Sequence, residues 1–330
     1  MAGTRAPSSR RGTALPITPR LGHAGGVSLD VLSPLRRRLQ LTFSGQAEGI
    51  PEWELALEEG DDAGYFLPDS LTWRVNGGMT PIMGGIRALL TQALHPGVLA
   101  GVVDHSHYRE DPLGRLAGTI RWIFSVTYGD TATAERACAY VRRLHEAVVG
   151  EYVDGRGIPR SYAANDAELA EWVHIAFTDA FLGSYEYIRG PLPPSAADAY
   201  VAEWARAGEL MGVPEPPRSV AALRRRMAEY DDAAHLAGGP RVDDVVGFLK
   251  HPPLDPMLAP GYKLLFAAAV DSMSDRHLEL LGLHRLSLGS LQLPVRPAAR
   301  ATLAVVGRAL GSTGPSEAAA RRRVARLGTP

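Results

Sequence analysis

The chain has 330 residues, 45% of them hydrophobic, which is enough to bury one large core. Its 36 acidic residues nearly cancel its 35 basic ones, a balance that excludes the footprint of a nucleic-acid binder and gives no pull toward anionic membranes. A single cysteine, Cys138, excludes a disulfide framework and any Cys-rich zinc or iron–sulfur site, and fits the reducing compartment of a cytoplasmic protein.

Residues 1–26 are rich in Arg, Ser, Pro and Gly and lack the apolar run of a secretory signal, so a disordered leader is expected, extending to about residue 45 around a short helix at 29–42. The acidic, glycine-containing stretch 45–64 reads as a mobile connection. From about residue 84 to 235, apolar residues recur at i, i+3 and i+4, the period of packed helices. A glycine-rich segment at 77–85 matches neither phosphate-loop nor dinucleotide spacing and leads into a helix at 86–94. Pro96-Gly97 interrupts it before a second helix at 98–105. Asp111-Pro112 starts a helix through Arg115, Thr119 and Trp122 to about Thr127. Thr131 or Thr133 then caps a helix carrying Ala137, Val141, Leu144, His145 and Val148 on one face until Gly150. Asn165 and Glu168 resemble a capping box for a long central helix through Trp172 and Phe181. Proline clusters separate further helices at 196–211, 218–235 and across 243–291, and the Arg/Ala-rich end, 311–330, is expected to fray as a flexible tail. The fold class is therefore mainly α, a single multi-helix domain over 46–310. No stretch of about 18 uninterrupted apolar residues exists, so no transmembrane segment is expected and only peripheral membrane contact stays open.

Chemistry is most readily carried by the histidines at 95, 105, 107, 145 and 174. A histidine on an apolar helical face is more often a hydrogen-bonded core residue than a ligand, so the stripe beneath His145 permits ligation without requiring it. His174 shares its face with Phe177 and Phe181 and reads as a core residue. His95, before Pro96, can stabilise the break between two helices through its side chain.

An ordered series of short motifs changes the balance: Leu94-His95-Pro96-Gly97-Val98, Asp104-His105-Ser106, Asp111-Pro112-Leu113-Gly114-Arg115 with Thr119, Arg142-Arg143-Leu144-His145, Tyr162-Ala163-Ala164-Asn165-Asp166 and Trp172-Val173-His174. The series resembles the MpaB/latex-clearing oxygenase family, the DUF2236 domain, over about residues 70–240. That resemblance implies a helical bundle with a globin-like core holding haem b. His145 would then be the axial iron ligand, with Arg142 three residues before it, and Arg115 and Thr119 the distal pair. In a helix i and i+4 share a face, so Arg115 and Thr119 can point into one pocket. Imidazole is a strong iron ligand, and the planar guanidinium of Arg142 suits a haem propionate. Arg115 and Thr119 would act as distal donors toward dioxygen or peroxide. Where the latex-clearing branch can place a lysine before the distal threonine, this chain has Gly118, so a lysine-ligated closed state is not expected. The implied substrate is a small apolar organic molecule rather than rubber, possible reactions including C=C cleavage, with an electron donor as partner. Two alternatives stay open: a non-haem metal enzyme using His105, His107 and Asp104, Glu110 or Asp111, and a non-catalytic helical binding protein.

Overall fold

The computed structural model describes residues 32–46, 48–289, 291–311 and 313–328. The leader expected over the first 26 residues lies outside them. In chain order the helices begin with α1 (Ser33–Ser44), α2 (Glu52–Leu55), α3 (Leu71–Asn76), α4 (Thr80–Gln92), α5 (Pro96–His105), α6 (Pro112–Tyr128) and α7 (Thr131–His145). A hairpin of β1 (Val149–Val153) and β2 (Pro159–Ala163) follows, then α8 (Ala167–Arg189), α9 (Pro194–Leu210), α10 (Val220–Asp232), α11 (Pro240–Lys250), α12 (Ala259–Asp271) and α13 (Asp275–Leu280). A two-residue ladder of β3 (Ser287–Leu288) and β4 (Leu291–Gln292) precedes α14 (Arg296–Leu310) and α15 (Pro315–Leu327). The protein is mainly α-helical and a single domain, and the sheets among the described residues are small two-stranded ones.

The prolines that punctuate the sequence mostly start helices rather than merely ending them. Pro96, Pro112, Pro194, Pro240 and Pro315 each stand at the first position of a helix, where no amide hydrogen is needed and φ is already helical. Side-chain caps complete several of these starts. His95 Nδ1 accepts from the Gly97 amide at 3.2 Å, Asp111 from Gly114 at 2.9 Å and Asp130 from Thr133 at 2.8 Å. The cap of α7 is thus Asp130, neither of the threonines expected. Nor does the capping box at α8 form. Asn165 instead donates to the Arg142 carbonyl at 2.9 Å, and the Glu168 carboxylate turns toward two histidines.

α8 is the central element, with Trp172, Ile175, Ala176 and Ala180 fully buried and α4 and α9 packed against it. Gly84 lets α4 approach closely, since a Cβ there would stand 3.2 Å from the Phe181 ring. Aromatic rings key α6, α8 and α9 together: Phe177 stacks on Trp204 with centroids 5.3 Å apart, and Trp122 meets both edge-on. No single helix among the described residues is long and apolar enough to cross a membrane; α4 and α5 together reach the length but are bent by 107°.

Two expected mobile segments are built into this frame. The acidic stretch after α1 contains α2 and a 3-10 turn, Ala56–Glu58, with Leu57 buried. The end of the chain, expected to fray, forms α15, whose Arg323 is fully buried. The two segments hold each other. Glu54 accepts from the Ser316 amide at 3.1 Å and hydroxyl at 2.6 Å, capping α15 with a carboxylate where the helix dipole favours one.

Candidate functional site

Gly129 and Asp130 turn the chain back between α6 and α7, and the two helices pack on each other. Near the turn they are well covered: Ile123, Ser125, Val126, Thr127 and Tyr128 of α6 and Ala134 and Cys138 of α7 are buried. Away from it the covering thins. None of residues 112–122 is buried, although Leu113, Leu116, Ala117, Ile120 and Trp122 are apolar, and nothing in α7 beyond Cys138 is buried. Leu144, on the last turn of α7, is 54% exposed. The open end of this helix pair carries all four residues singled out in the sequence.

His145 ends α7 half-buried. Burial holds its imidazole below the ordinary histidine range, and the positive charge of Arg115 pushes in the same direction. The structure therefore brings Arg115 and His145 within electrostatic reach across the helix pair. Among the described residues no hydrogen bond engages either ring nitrogen of His145. Arg115 is reached by water, yet protein surrounds it closely enough that burial lowers its pKa. Its guanidinium donates to Ser106 Oγ at 2.5 Å, which ties α6 to the end of α5.

Thr119 is exposed one turn along from Arg115, and its hydroxyl donates to the Arg115 carbonyl at 3.1 Å, leaving its lone pairs outward. Arg142 is exposed, with its guanidinium directed toward Gly212 beyond the end of α9. The buried Cys138 thiol is pushed up to about 11 by burial, which makes it a packing residue rather than a nucleophile.

The other histidines separate from this group. His105 Nε2 lies 3.0 Å from the Val149 carbonyl, His107 is exposed, and among the described residues no three potential metal ligands converge on either. The convergence that does occur, of His95, Glu168 and His235, joins positions far apart in sequence. No spacing motif announces it.

His174 is buried against Gly208, with Nε2 unpartnered and its pKa pushed down to about 4 by burial. The unfolded chain, with a histidine pKa of about 6.5, takes up a proton that the folded state refuses. Stability should thus be full above pH about 6.5 and fall toward pH about 4, losing about 3 kcal/mol from this group. His174→Leu is expected to flatten that loss in urea unfolding measured across the same range; an unchanged pH profile would assign the acid sensitivity elsewhere.

The model of one protein family, the ER-bound oxygenase mpaB/B'/Rubber oxygenase catalytic domain, matches residues 73–308, from α3 to α14 and including both helices of the open pair. The chain belongs to this family. Curated relatives include an uncharacterized protein of Mycobacterium bovis and one of Mycobacterium tuberculosis. Each is 28% identical over 146 residues, 43% of this chain and 56% of the relative. The chain thus spans little more than half the length of these relatives. No solved structure matches it. Family membership assigns the oxygenase class and leaves cofactor, substrate and site to the chemistry of the residues.

Proposed function

We propose that the protein is a haem b-dependent oxygenase that acts on a small apolar organic molecule by oxidative cleavage of a carbon–carbon double bond. Dioxygen or peroxide is the co-substrate, and an electron donor is the partner. The observation that carries the reading is His145: a half-buried imidazole, kept neutral by burial and by Arg115, with neither ring nitrogen hydrogen-bonded among the described residues. Neutral imidazole is the form that ligates iron.

The surroundings fit the group. Leu113, Leu116 and Ile120 are only half-buried and Leu144 is exposed at the open end of α6 and α7, where a porphyrin face would cover the rest of their surface. Bound haem would supply the redox iron that activates dioxygen. His145 would hold that iron, and Arg142, one turn earlier, is assigned to a propionate because its planar fork matches a carboxylate. Arg115 holds a fixed positive charge and several N–H donors toward the same space, so it orients an anionic or polarised oxygen species. Thr119, whose proton is committed to the Arg115 carbonyl, offers only lone pairs there and serves as an acceptor. Leu113, Leu116 and Ile120 provide apolar contact for a substrate and keep water away from it.

The test is an absorption spectrum of the full chain produced with a haem supply. A Soret band, a haemochrome derivative of haem b and oxygen uptake with an apolar alkene are expected. Colourless protein that does not take up added haemin would overturn the proposal.

A further inference from the structure

At the other end of α5 from the Ser106 contact with the open helix pair, three side chains from distant parts of the chain converge. Glu168 Oε1 lies 3.6 Å from His95 Nε2 and 3.1 Å from His235 Nδ1, and the three atoms all lie within 4.8 Å of one another. We propose that His95, Glu168 and His235 form a binding site for one divalent transition-metal ion of the zinc class.

The first argument is that these groups converge without satisfying each other. His95 is 1% exposed, and its Nε2 has no hydrogen-bond partner. The Glu168 oxygen is too far from it for a hydrogen bond, and His235 Nδ1, although closer, makes none with Glu168 in this geometry. A buried nitrogen left orphaned is costly, and a ring of three donors around a shared point is what an ion satisfies. Bonds of about 2.0–2.1 Å in a tetrahedral site hold ligand atoms roughly 3.3–3.4 Å apart, close to the two separations seen.

The second argument is that the donors are held in place. His95 is held at the N-terminus of α5 by burial. Glu168 sits in the first turn of α8. His235 is set by the end of α10, where Ala234 adopts φ 54°, the one non-glycine residue with positive φ among the described residues. The His235 amide bonds back to the Tyr230 carbonyl at 3.1 Å, closing a left-handed helix end that aims the next residue. The Ala237 amide then bonds to the Leu94 carbonyl at 2.9 Å, which pins the segment bearing His235 to the neighbour of His95. A left-handed alanine is strained relative to glycine, so this placement is imposed by its surroundings.

The donor chemistry is suitable too. Two imidazoles and a carboxylate suit zinc, iron and their neighbours, with a further position left for water. A glutamate is ionised at neutral pH, so Glu168 brings a negative charge to the two imidazoles it faces. It also lines an open cavity of about 360 Å³ with Tyr152, Arg160, Ser161 and Asp166, so the carboxylate side of the cluster faces solvent. Loading has one structural consequence. With Nδ1 accepting from Gly97, the ring proton of neutral His95 stands on Nε2; coordination through Nε2 moves it to Nδ1 and releases the long cap bond of 3.2 Å.

The test is calorimetric titration of Zn2+ into the metal-stripped full chain, with its haem if it carries one, together with metal analysis. One zinc per chain is expected, weakened more than about 100-fold in Glu168→Gln and His235→Ala. His235→Cys, which restores a ligand, should recover binding while melting like His235→Ala without metal. His145→Ala should leave zinc binding unchanged, which separates this site from the haem reading. Absence of stoichiometric zinc, or full affinity in both Glu168→Gln and His235→Ala, would overturn the proposal and leave a buried polar cluster only.

Discussion

His145→Ala is expected to purify without haem, with the Soret band gone and haem affinity reduced by more than about 100-fold, while the helical content is unchanged. The two halves of that expectation come from the same geometry. The ring contributes no hydrogen bond to the fold among the described residues and sits on the last, sparsely covered turn of α7, so its loss leaves packing intact. The axial role, in contrast, does not pass to His105, which is engaged with the Val149 carbonyl. Acidification of the wild-type holoprotein gives a second readout. Because burial and then Arg115 depress the His145 pKa, the neutral ligand persists below the ordinary histidine value of about 6.5, and haem release should begin only at more acidic pH. Arg115→Ala removes the smaller of the two causes, so release should shift upward in pH, and turnover should fall by about 100-fold if the guanidinium stabilises developing charge. A His145→Ala protein that keeps an unaltered Soret band would remove this residue from the ligand set, whatever else binds the porphyrin.

How much of this was legible in the sequence depends on how local the signal was. α6 announces itself through Asp111-Pro112 and ends at Tyr128-Gly129, because a cap, a first-turn proline and a following glycine all act within four residues. The pairing of Arg115 with His145 was readable only by resemblance, since nothing in their spacing of 30 positions shows that α6 and α7 fold back on each other. The β1–β2 hairpin was missed although Asp154-Gly155-Arg156-Gly157 is a turn signal; its strands alternate weakly, and the helical period around them dominates. The Asp154 carboxylate closes that turn by accepting from the Ile158 amide at 3.0 Å and the Arg156 amide at 2.9 Å, which holds it at about 2. Glu168 illustrates the opposite failure. Its position after Asn165 satisfied a local rule, yet the carboxylate is drawn to His95 and His235, residues that no window around α8 contains. The acidic 45–64 stretch and the Arg/Ala-rich end each look soluble and mobile when read alone. Each is ordered by the other, and only tertiary structure reveals that complementarity.

Arg323 carries that complementarity, and Arg323→Ala should destabilise the protein by roughly 3–5 kcal/mol, the range for stripping one partner from a buried charged network. The side chain is 0% exposed. Its guanidinium donates to the carbonyls of Leu57, Tyr128 and Ala63, the last two at 2.6 and 3.4 Å, so one residue of α15 closes the turn after α2, the loop at Ala63 and the end of α6. Burial pulls its pKa down, while Asp130 and Asp62 oppose that pull and keep the charge in place. Alanine would leave three carbonyls without their donor and a void where the long side chain lay. Lysine should recover only part of the loss, because a single ammonium cannot reproduce a planar fork aimed at separate oxygens. In urea unfolding the midpoint should fall with the slope unchanged, as expected when stability changes without a change in the surface exposed. Since Tyr128 ends the helix that carries Arg115, the same variant should also release haem at a lower denaturant concentration than the wild type does. A midpoint shift equivalent to less than about 1 kcal/mol would mean that α15 is held by its other contacts, Glu54 with Ser316, Glu58 with Arg322 and the buried Ala319, Ala320 and Val324, and that the guanidinium is a passenger in the core.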